Sequence, residues 1–273
     1  MVDLHSHTNA SDGSCSPCEL INAARAVGVQ ILAITDHDTF AGYDQASAQA
    51  RIAGLELVCG IELSTKLLGS SVHLLGYFFE TNKLVEFRKW LEEIQNSRRQ
   101  RNAGLAARLQ ELGFDITLEE VEALGRGVTG RPHFAELMVE KRFVANVQQA
   151  FDKYLGELAE GYVHRKEPQF IEGVERIRKA GGIASLAHPV RVKANLIPAL
   201  PELCEAGLNA IEAYHSDHSP VDTEFYLELA KRYGLLVTGG SDFHGASKPG
   251  IALGTGRDGN LKIPEFLVER LRG

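Results

Sequence analysis

The 273-residue chain has only four cysteines, at positions 15, 18, 59 and 204. That is too few for a disulfide framework in a chain of this length. Cys15 and Cys18 form a single C-x-x-C, but no second pair follows to complete a four-thiolate zinc site. Cys18 also falls at an expected helix start, so the pair is read as buried small thiols. No stretch approaches the roughly 20 apolar residues needed to cross a bilayer, and no basic-then-apolar leader follows Met1. The expectation is a cytoplasmic protein with no membrane partner. Basic charge is in deficit, with 29 Lys and Arg against 36 Asp and Glu, a net charge of -7 and a pI near 5.8. Such a surface disfavours duplex DNA, whose binding rests on many phosphate contacts. It leaves room for a small phosphorylated ligand in a local basic pocket. Internal repeats, low-complexity tracts and a disordered tail are also missing. What remains, 44% hydrophobic and 24% charged residues, is ordinary for a globular protein with a sizeable core.

Short apolar, β-branched runs alternate with helical patterns, as in βα units around a parallel sheet or barrel. Strands are expected at Val2–His5, Ile31–Thr35, Leu57–Ile61, Val72–Tyr77, Ile183–Ala187, Ala210–Tyr214 and Leu236–Gly239. Ser16 as N-cap, Pro17 at the first helical position and Glu19 three after the cap form a capping box. Gly28 supplies the stop, and Gly181-Gly182 and Gly234 end later helices.

The rhythm breaks between residues 82 and 164, where only helical patterns remain. The expected organisation is a barrel core of residues 1–81 and 165–273, interrupted by a helical insertion over 82–164 that caps it. In the first inserted helix, Lys83 to Leu112, the apolar stripe Leu84, Phe87, Leu91, Ile94, Leu105, Leu109, Leu112 passes through Arg98 and Arg101. Charge on an apolar face must either snorkel to water or find a buried anion.

Nine residues carry the chemistry: His5, His7, Asp12, His37, Glu62, His73, His188, Asp242 and His244. Most close an apolar run. Residues i and i+2 of a strand share a face, so His5 and His7 can act together. Functional groups gather where strands end at the carboxyl edge of barrels and α/β sheets. His73 fits less well, because it opens its strand. Imidazole and carboxylate without thiolate suit Mn²⁺, Fe²⁺ or Zn²⁺. Nine donors exceed the needs of one ion, whereas dinuclear hydrolases hold two about 3.5–4 Å apart. Two or three divalent ions per chain are expected, Mn²⁺ first. Any one of these residues alone reads as a core histidine or a turn carboxylate; the set reads as a metal centre.

His5-x-His7, Thr35-Asp36-His37-Asp38, Gly60-Ile61-Glu62, His73, Ala187-His188-Pro189 and Ser241-Asp242-Phe243-His244 together resemble the PHP family, named for polymerase and histidinol phosphatase. The resemblance covers the whole core. It implies an α/β fold, a distorted (β/α)7 barrel with a trinuclear metal site at its carboxyl mouth, and all nine residues land on ligand positions. Gly130-Arg131-Pro132-His133-Phe134-Ala135 and Phe151-Asp152-Lys153-Tyr154-Leu155 resemble the branch acting on small nucleotides. The nearest likeness is to 3′,5′-nucleotide bisphosphate phosphatases. This implies a phosphoric monoester hydrolase that removes the 3′-phosphate of a nucleoside 3′,5′-bisphosphate by in-line attack of a metal-activated hydroxide. Arg98, Arg101 and Arg131 are candidates for the second phosphate, because guanidinium forks bind phosphate oxygens bidentately, and His133 stands beside them. His215 and His218 follow the sixth strand and are candidates for the scissile phosphate. Asp12, His218 or water protonates the leaving oxygen.

The alternatives are a 5′-3′ exoribonuclease on short RNA, a histidinol phosphatase, a metal-dependent amidohydrolase and a polymerase-associated nucleic-acid-binding module. A histidinol phosphate pocket needs an acidic partner for the substrate amine, where this chain offers arginines. Barrel amidohydrolases typically use a bridging lysine, and no lysine closes a core strand here. The acidic charge opposes the nucleic-acid-binding module. Native metal and oligomeric state are left open.

Overall fold

The computed structural model describes residues 1–124, 127–192 and 196–273. All seven expected strands form: β1 (Val2–Asp3), β2 (Ile31–Ile34), β3 (Glu56–Leu67), β4 (Ser70–Phe78), β5 (Ile183–Leu186), β6 (Ala210–His215) and β7 (Leu236–Gly240). They lie in one sheet in sequence order. The two edges nearly meet, since Leu4 N–H donates to Gly239 O at 3.1 Å and Asp242 N–H to His5 O at 2.8 Å. The result is a nearly closed seven-stranded α/β barrel. β1 is shorter than expected, but past Asp3 the chain still bonds both neighbours, with Thr35 N–H donating to Ser6 O and His7 N–H to Phe243 O, each at 2.9 Å. A Cβ at Gly240 would collide with His5, so this seam requires glycine.

One expectation of parallel strands is corrected. β4 runs antiparallel to both β3 and β5. A tight Leu68-Gly69 turn, with both residues in the left-handed region, returns the chain directly, so no crossover helix intervenes. The start of β4 therefore lies beside the far end of β3, with Ser64 opposite His73. A histidine opening this strand reaches the same barrel end as residues closing the others.

The first helix, α1 (Pro17–Ala26), carries the expected capping box, with Ser16 Oγ accepting from Glu19 N–H and the Glu19 carboxylate accepting from Ser16 N–H. α2 (Ala41–Ala53) follows β2. Between β4 and the later helix α7 (Phe170–Lys179), the regular elements among the described residues are all helical. They are α3 (Val85–Glu111), α4 (Leu118–Leu124), α5 (Arg131–Glu140) and α6 (Val147–Ala150), the last continuing into a wider turn over Phe151–Leu155. α8 (Leu196–Glu205), α9 (Pro220–Tyr233) and α10 (Phe266–Arg272) complete the chain.

At 27 residues, α3 is roughly 40 Å long at about 1.5 Å per residue, and it joins two cores. Phe87, Trp90, Leu91 and Ile94 pack with the barrel residues Ile61, Leu63, Leu74 and Phe170. Leu105, Ala106 and Leu109 pack instead with Phe134, Leu137, Met138 and Leu155. Arg98 and Arg101 fall where the helix passes from one core to the other. The cysteine reading needs correction too. Cys18 is exposed and Cys15 half-buried, so the pair is not a buried one, whereas Cys59 is buried. No helix among the described residues is long and apolar enough to cross a membrane.

Candidate active site

Glu62, on β3, sits at the centre of the converging side chains. Its Oε1 is 2.7 Å from His73 Nδ1 and 2.8 Å from His188 Nε2. Its Oε2 is 3.2 Å from His5 Nε2, 3.0 Å from His7 Nε2 and 3.5 Å from His37 Nδ1. The two oxygens thus face two different sets of imidazoles. Asp242 Oδ1 lies 3.4–3.6 Å from His5, His7 and His244. Asp12 lies 3.4–3.6 Å from His7, His37 and His244. All nine expected side chains meet at one barrel end.

Their donor atoms fall into sets tight enough to hold cations. His7, Asp12, His37 and His244 offer atoms within 4.8 Å of one another; so do His5, His7, Glu62 and Asp242; so do His37, Glu62 and His73. Buried His7 Nε2 and His37 Nδ1 have no hydrogen-bond partner among the described residues. A buried polar atom left this way is costly. A divalent cation facing the lone pair removes that cost, so this nitrogen and oxygen donor set fits such ions. The electrostatics agree. Burial alone would push Glu62 up, but the surrounding imidazoles of His37, His73 and His5 hold it well below the carboxylate range. Burial pushes His7 down to about 3 and His188 down to about 4. Burial also lowers His5, yet Glu212, Glu62 and Asp242 outweigh it and raise that ring. Neighbouring rings driven in opposite directions cannot all be charged together. Positive charge at the centre is better carried by ions than by protons.

Residues around the centre fix its shape. Glu212, buried on β6, accepts from His5 Nδ1 at 2.9 Å and from the His188 backbone N–H at 2.6 Å. The first contact fixes the His5 tautomer and leaves Nε2 for the centre. The second pins His188, whose φ of 25° is an outlier for a non-glycine residue. Asp3 accepts from Ser241 N–H and Oγ and from Gly254 N–H, tying β1 to the segment that carries Asp242. On the far side of Asp242, Arg191 and Lys248 each donate to Oδ2 at 2.9 Å.

His215 and His218 divide. His215 Nδ1 accepts from Asp217 N–H at 3.0 Å, so a neutral ring carries its proton on Nε2, which lies 3.6 Å from Asp242. His218 sits behind it, its ring tilted against Tyr226, with Nδ1 donating to Ala213 O, and burial lowers its pKa. A ring held neutral is a poor proton donor. His133 is also engaged, its Nδ1 accepting from Gly130 N–H at the start of α5.

A cavity of about 150 Å³ adjoins the centre, lined by Asp12, His37 and His73 on one side and by Arg98, Arg101 and Arg131 on the other. The two stripe arginines resolve their burial differently. Arg98 donates to Asp38 and, at 2.8 Å, to Ser64. Arg165, buried, shares Asp38 at 3.4 Å. Arg101 is 8% exposed, and no ion pair among the described residues includes it. Burial, then the neighbouring Arg98, Arg131 and Arg165, push it down to about 9. Arg131 donates to Leu155 O at 3.2 Å and lies over the Tyr162 ring. A second cavity of about 360 Å³ opens beside the first, lined by Glu62, His188, Asp242, His244, Arg191 and Lys248, and by the apolar Pro132, Val147 and Phe151.

Sequence reading passed over Asp38, Arg165, Arg191, Glu212 and Lys248. Two carried a signal. Glu212 is an acid between apolar neighbours in a core strand, and Asp38 belongs to the quoted Asp36-His37-Asp38 block. The others had none, because their partners are distant in sequence.

Comparison with known proteins points the same way. The PHP domain profile matches residues 3–164. A 5′-3′ exoribonuclease of Haemophilus influenzae is 33% identical over 245 residues, 89% of each chain. A 3′,5′-nucleoside bisphosphate phosphatase of Chromobacterium violaceum is 31% identical over 264 residues, covering 94% of this chain and 92% of the relative. A solved structure from Bifidobacterium adolescentis, provisionally assigned as a metal-dependent phosphoesterase, superimposes with a TM-score of 0.88 at 30% identity. It covers 99% of this chain and 94% of its own.

Proposed function

We propose that this chain, which belongs to the PHP domain family, is a metal-dependent phosphoesterase that removes the 3′-phosphate of nucleoside 3′,5′-bisphosphates. One observation carries the choice of substrate. The cavity lined by Arg98, Arg101 and Arg131 opens directly onto Asp12, His37 and His73 of the centre, so a second phosphate can be held beside the one being cleaved. The nine residues of the centre would hold two or three divalent ions, which, when bound, activate water and offset phosphoryl charge. Arg101 and Arg131 orient the 5′-phosphate as guanidinium donors. His215, whose Nε2 faces Asp242 at 3.6 Å, steadies that carboxylate rather than meeting the substrate. Asp12 borders both cavities and is the group placed to pass a proton to the leaving 3′-oxygen. Residues 82–164 act as the cap that supplies the arginines.

The test is phosphate release from adenosine 3′,5′-bisphosphate by Mn²⁺-loaded protein, with the nucleotide product identified by chromatography and chelated protein as the blank. Formation of 5′-AMP with little turnover of histidinol phosphate is expected. Faster turnover of histidinol phosphate would overturn the assignment. A second reading, 5′-3′ trimming of short RNA, is favoured by the Haemophilus influenzae relative. It needs no other site. The first nucleotide of a 5′-phosphorylated RNA is itself a 3′,5′-bisphosphate, esterified to the rest of the chain.

A further inference from the structure

A 3′,5′-bisphosphate reaching from the centre to the arginines must lay its nucleoside where the two cavities meet. The residues common to both linings are Asp12, His37, His73, Pro132 and Phe151. The first three belong to the centre. Pro132 and Phe151 offer apolar surface, and Phe151 is the aromatic side chain of the pair. It is only half-buried, packed on one side against the helical cluster that includes Phe134 and Leu155. Val147, one helical turn before it, lines the larger cavity and is 43% exposed. Side chains four apart share a helix face. An apolar strip therefore overlooks a centre otherwise made of charged and polar groups. The backbone there is also unusual. The turn over Phe151–Leu155 is wider than an α-turn, with Gly156 N–H donating to Phe151 O at 2.8 Å, and such widened turns are frequent at functional sites.

We infer that Phe151, backed by Pro132 and Val147, is the platform on which the nucleobase of the substrate stacks. This rests on the proposed nucleotide phosphoesterase reading. It adds a third recognition element, set between the two phosphates, which pays no attention to base identity because every base offers a π-face. Proline and valine widen the apolar surface without adding hydrogen bonds that would read the base. The platform thus predicts weak base preference and clear discrimination against substrates lacking a base.

Calorimetric titration of the Mn²⁺-loaded protein with 5′-AMP and with ribose 5-phosphate reads the platform directly, without requiring turnover. Phe151→Ala should weaken 5′-AMP binding roughly tenfold or more, the scale of one lost base–aromatic stack, and leave ribose 5-phosphate unchanged. Phe151→Trp should restore 5′-AMP binding, and its thermal unfolding shows whether the helical cluster tolerates the exchange. Equal weakening of both ligands, or none, overturns the platform. Failure to release phosphate from any nucleoside bisphosphate overturns the parent reading instead, and the two failures are separable because binding and turnover are measured apart.

Discussion

Arg101→Met should make the ligand-free protein more stable and at the same time a worse enzyme. Arg101 is 8% exposed and in no ion pair among the described residues, and the Glu167 carboxylate on the same cavity wall offsets only part of its burial. Burial, then the neighbouring Arg98, Arg131 and Arg165, push its guanidinium down from the ordinary arginine range to about 9. At about 1.36 kcal/mol per pKa unit, holding the charge there costs on the order of 5 kcal/mol. Replacing a buried charge with an apolar side chain of similar length removes that cost, and part of the gain is lost with the cation's polar contacts and fit. A net stabilisation of about 1–3 kcal/mol is expected, at roughly 2–4 °C of Tm per kcal/mol for a chain of this order of size. The sign over pH follows from the cation's lowered pKa. The destabilisation is present at all pH below about 9 and is relieved only above it, so the gain in Tm should be flat from pH 6 to 8. Substrate reverses the balance, because a phosphate supplies the missing anion. A charge-assisted hydrogen bond contributes about 1.5–3 kcal/mol, so KM for adenosine 3′,5′-bisphosphate should rise roughly ten- to hundredfold. Thermal unfolding of chelated protein, with and without the bisphosphate, gives the stability gain and the ligand-induced shift, and phosphate release by the Mn²⁺-loaded protein gives KM. A variant that melts lower than wild type and keeps its full ligand-induced shift would refute the argument, for it would mean that Arg101 is a satisfied structural residue.

Three further substitutions probe the surroundings. Asp38→Asn strips the buried Arg165 and the half-buried Arg98 of their shared anion and should cost about 3–5 kcal/mol in urea unfolding; a loss below about 1 kcal/mol contradicts the network. Burial raises Asp38 but Arg98 and Arg165 outweigh it and hold it far below the carboxylate range, so its contribution is complete above about pH 4 and is lost only as pH falls further; the variant should show a flatter acid limb. Glu212→Gln should weaken Mn²⁺ binding roughly ten- to hundredfold in competition with a chromophoric chelator, and unchanged affinity would remove Glu212 from the centre's support. Arg131→Ala should raise KM for the bisphosphate far more than for an aryl phosphate, whereas equal losses on both would sink recognition by residues 82–164.

What could be read from the sequence depended on how local the signal was. The seven strands and the α1 capping box rest on runs of a few residues, and all were legible. The convergence of the nine side chains was legible because most lie in or just after a core strand, and topology gathers those positions at one end. His73 looked misplaced because strand direction is not written in a strand's own residues. It depends on the Leu68-Gly69 return, which converts an expected parallel neighbour into an antiparallel one. Cys18 was misjudged for a related reason: a small apolar residue in a helix gives no sign of which face it occupies when the helix is short.

The arginines show where local reading stops and what replaces it. A guanidinium in an apolar stripe announces an anion without saying which one. Arg98 found Asp38, from the loop after β2, a protein carboxylate 60 positions away. Arg101, three residues further on and on the same face, found none. The difference arises because α3 leaves the barrel core between these two positions and enters the helical one. Arg98 still reaches the barrel's own acids; Arg101 reaches only the cavity between the cores. A protein that keeps a buried cation without an ion pair at such a junction sacrifices stability there, and a bound anion would restore it. On the proposed reading, the stretch of α3 that belongs to neither core carries one part of substrate recognition, where a substitution should alter substrate choice without disturbing the barrel.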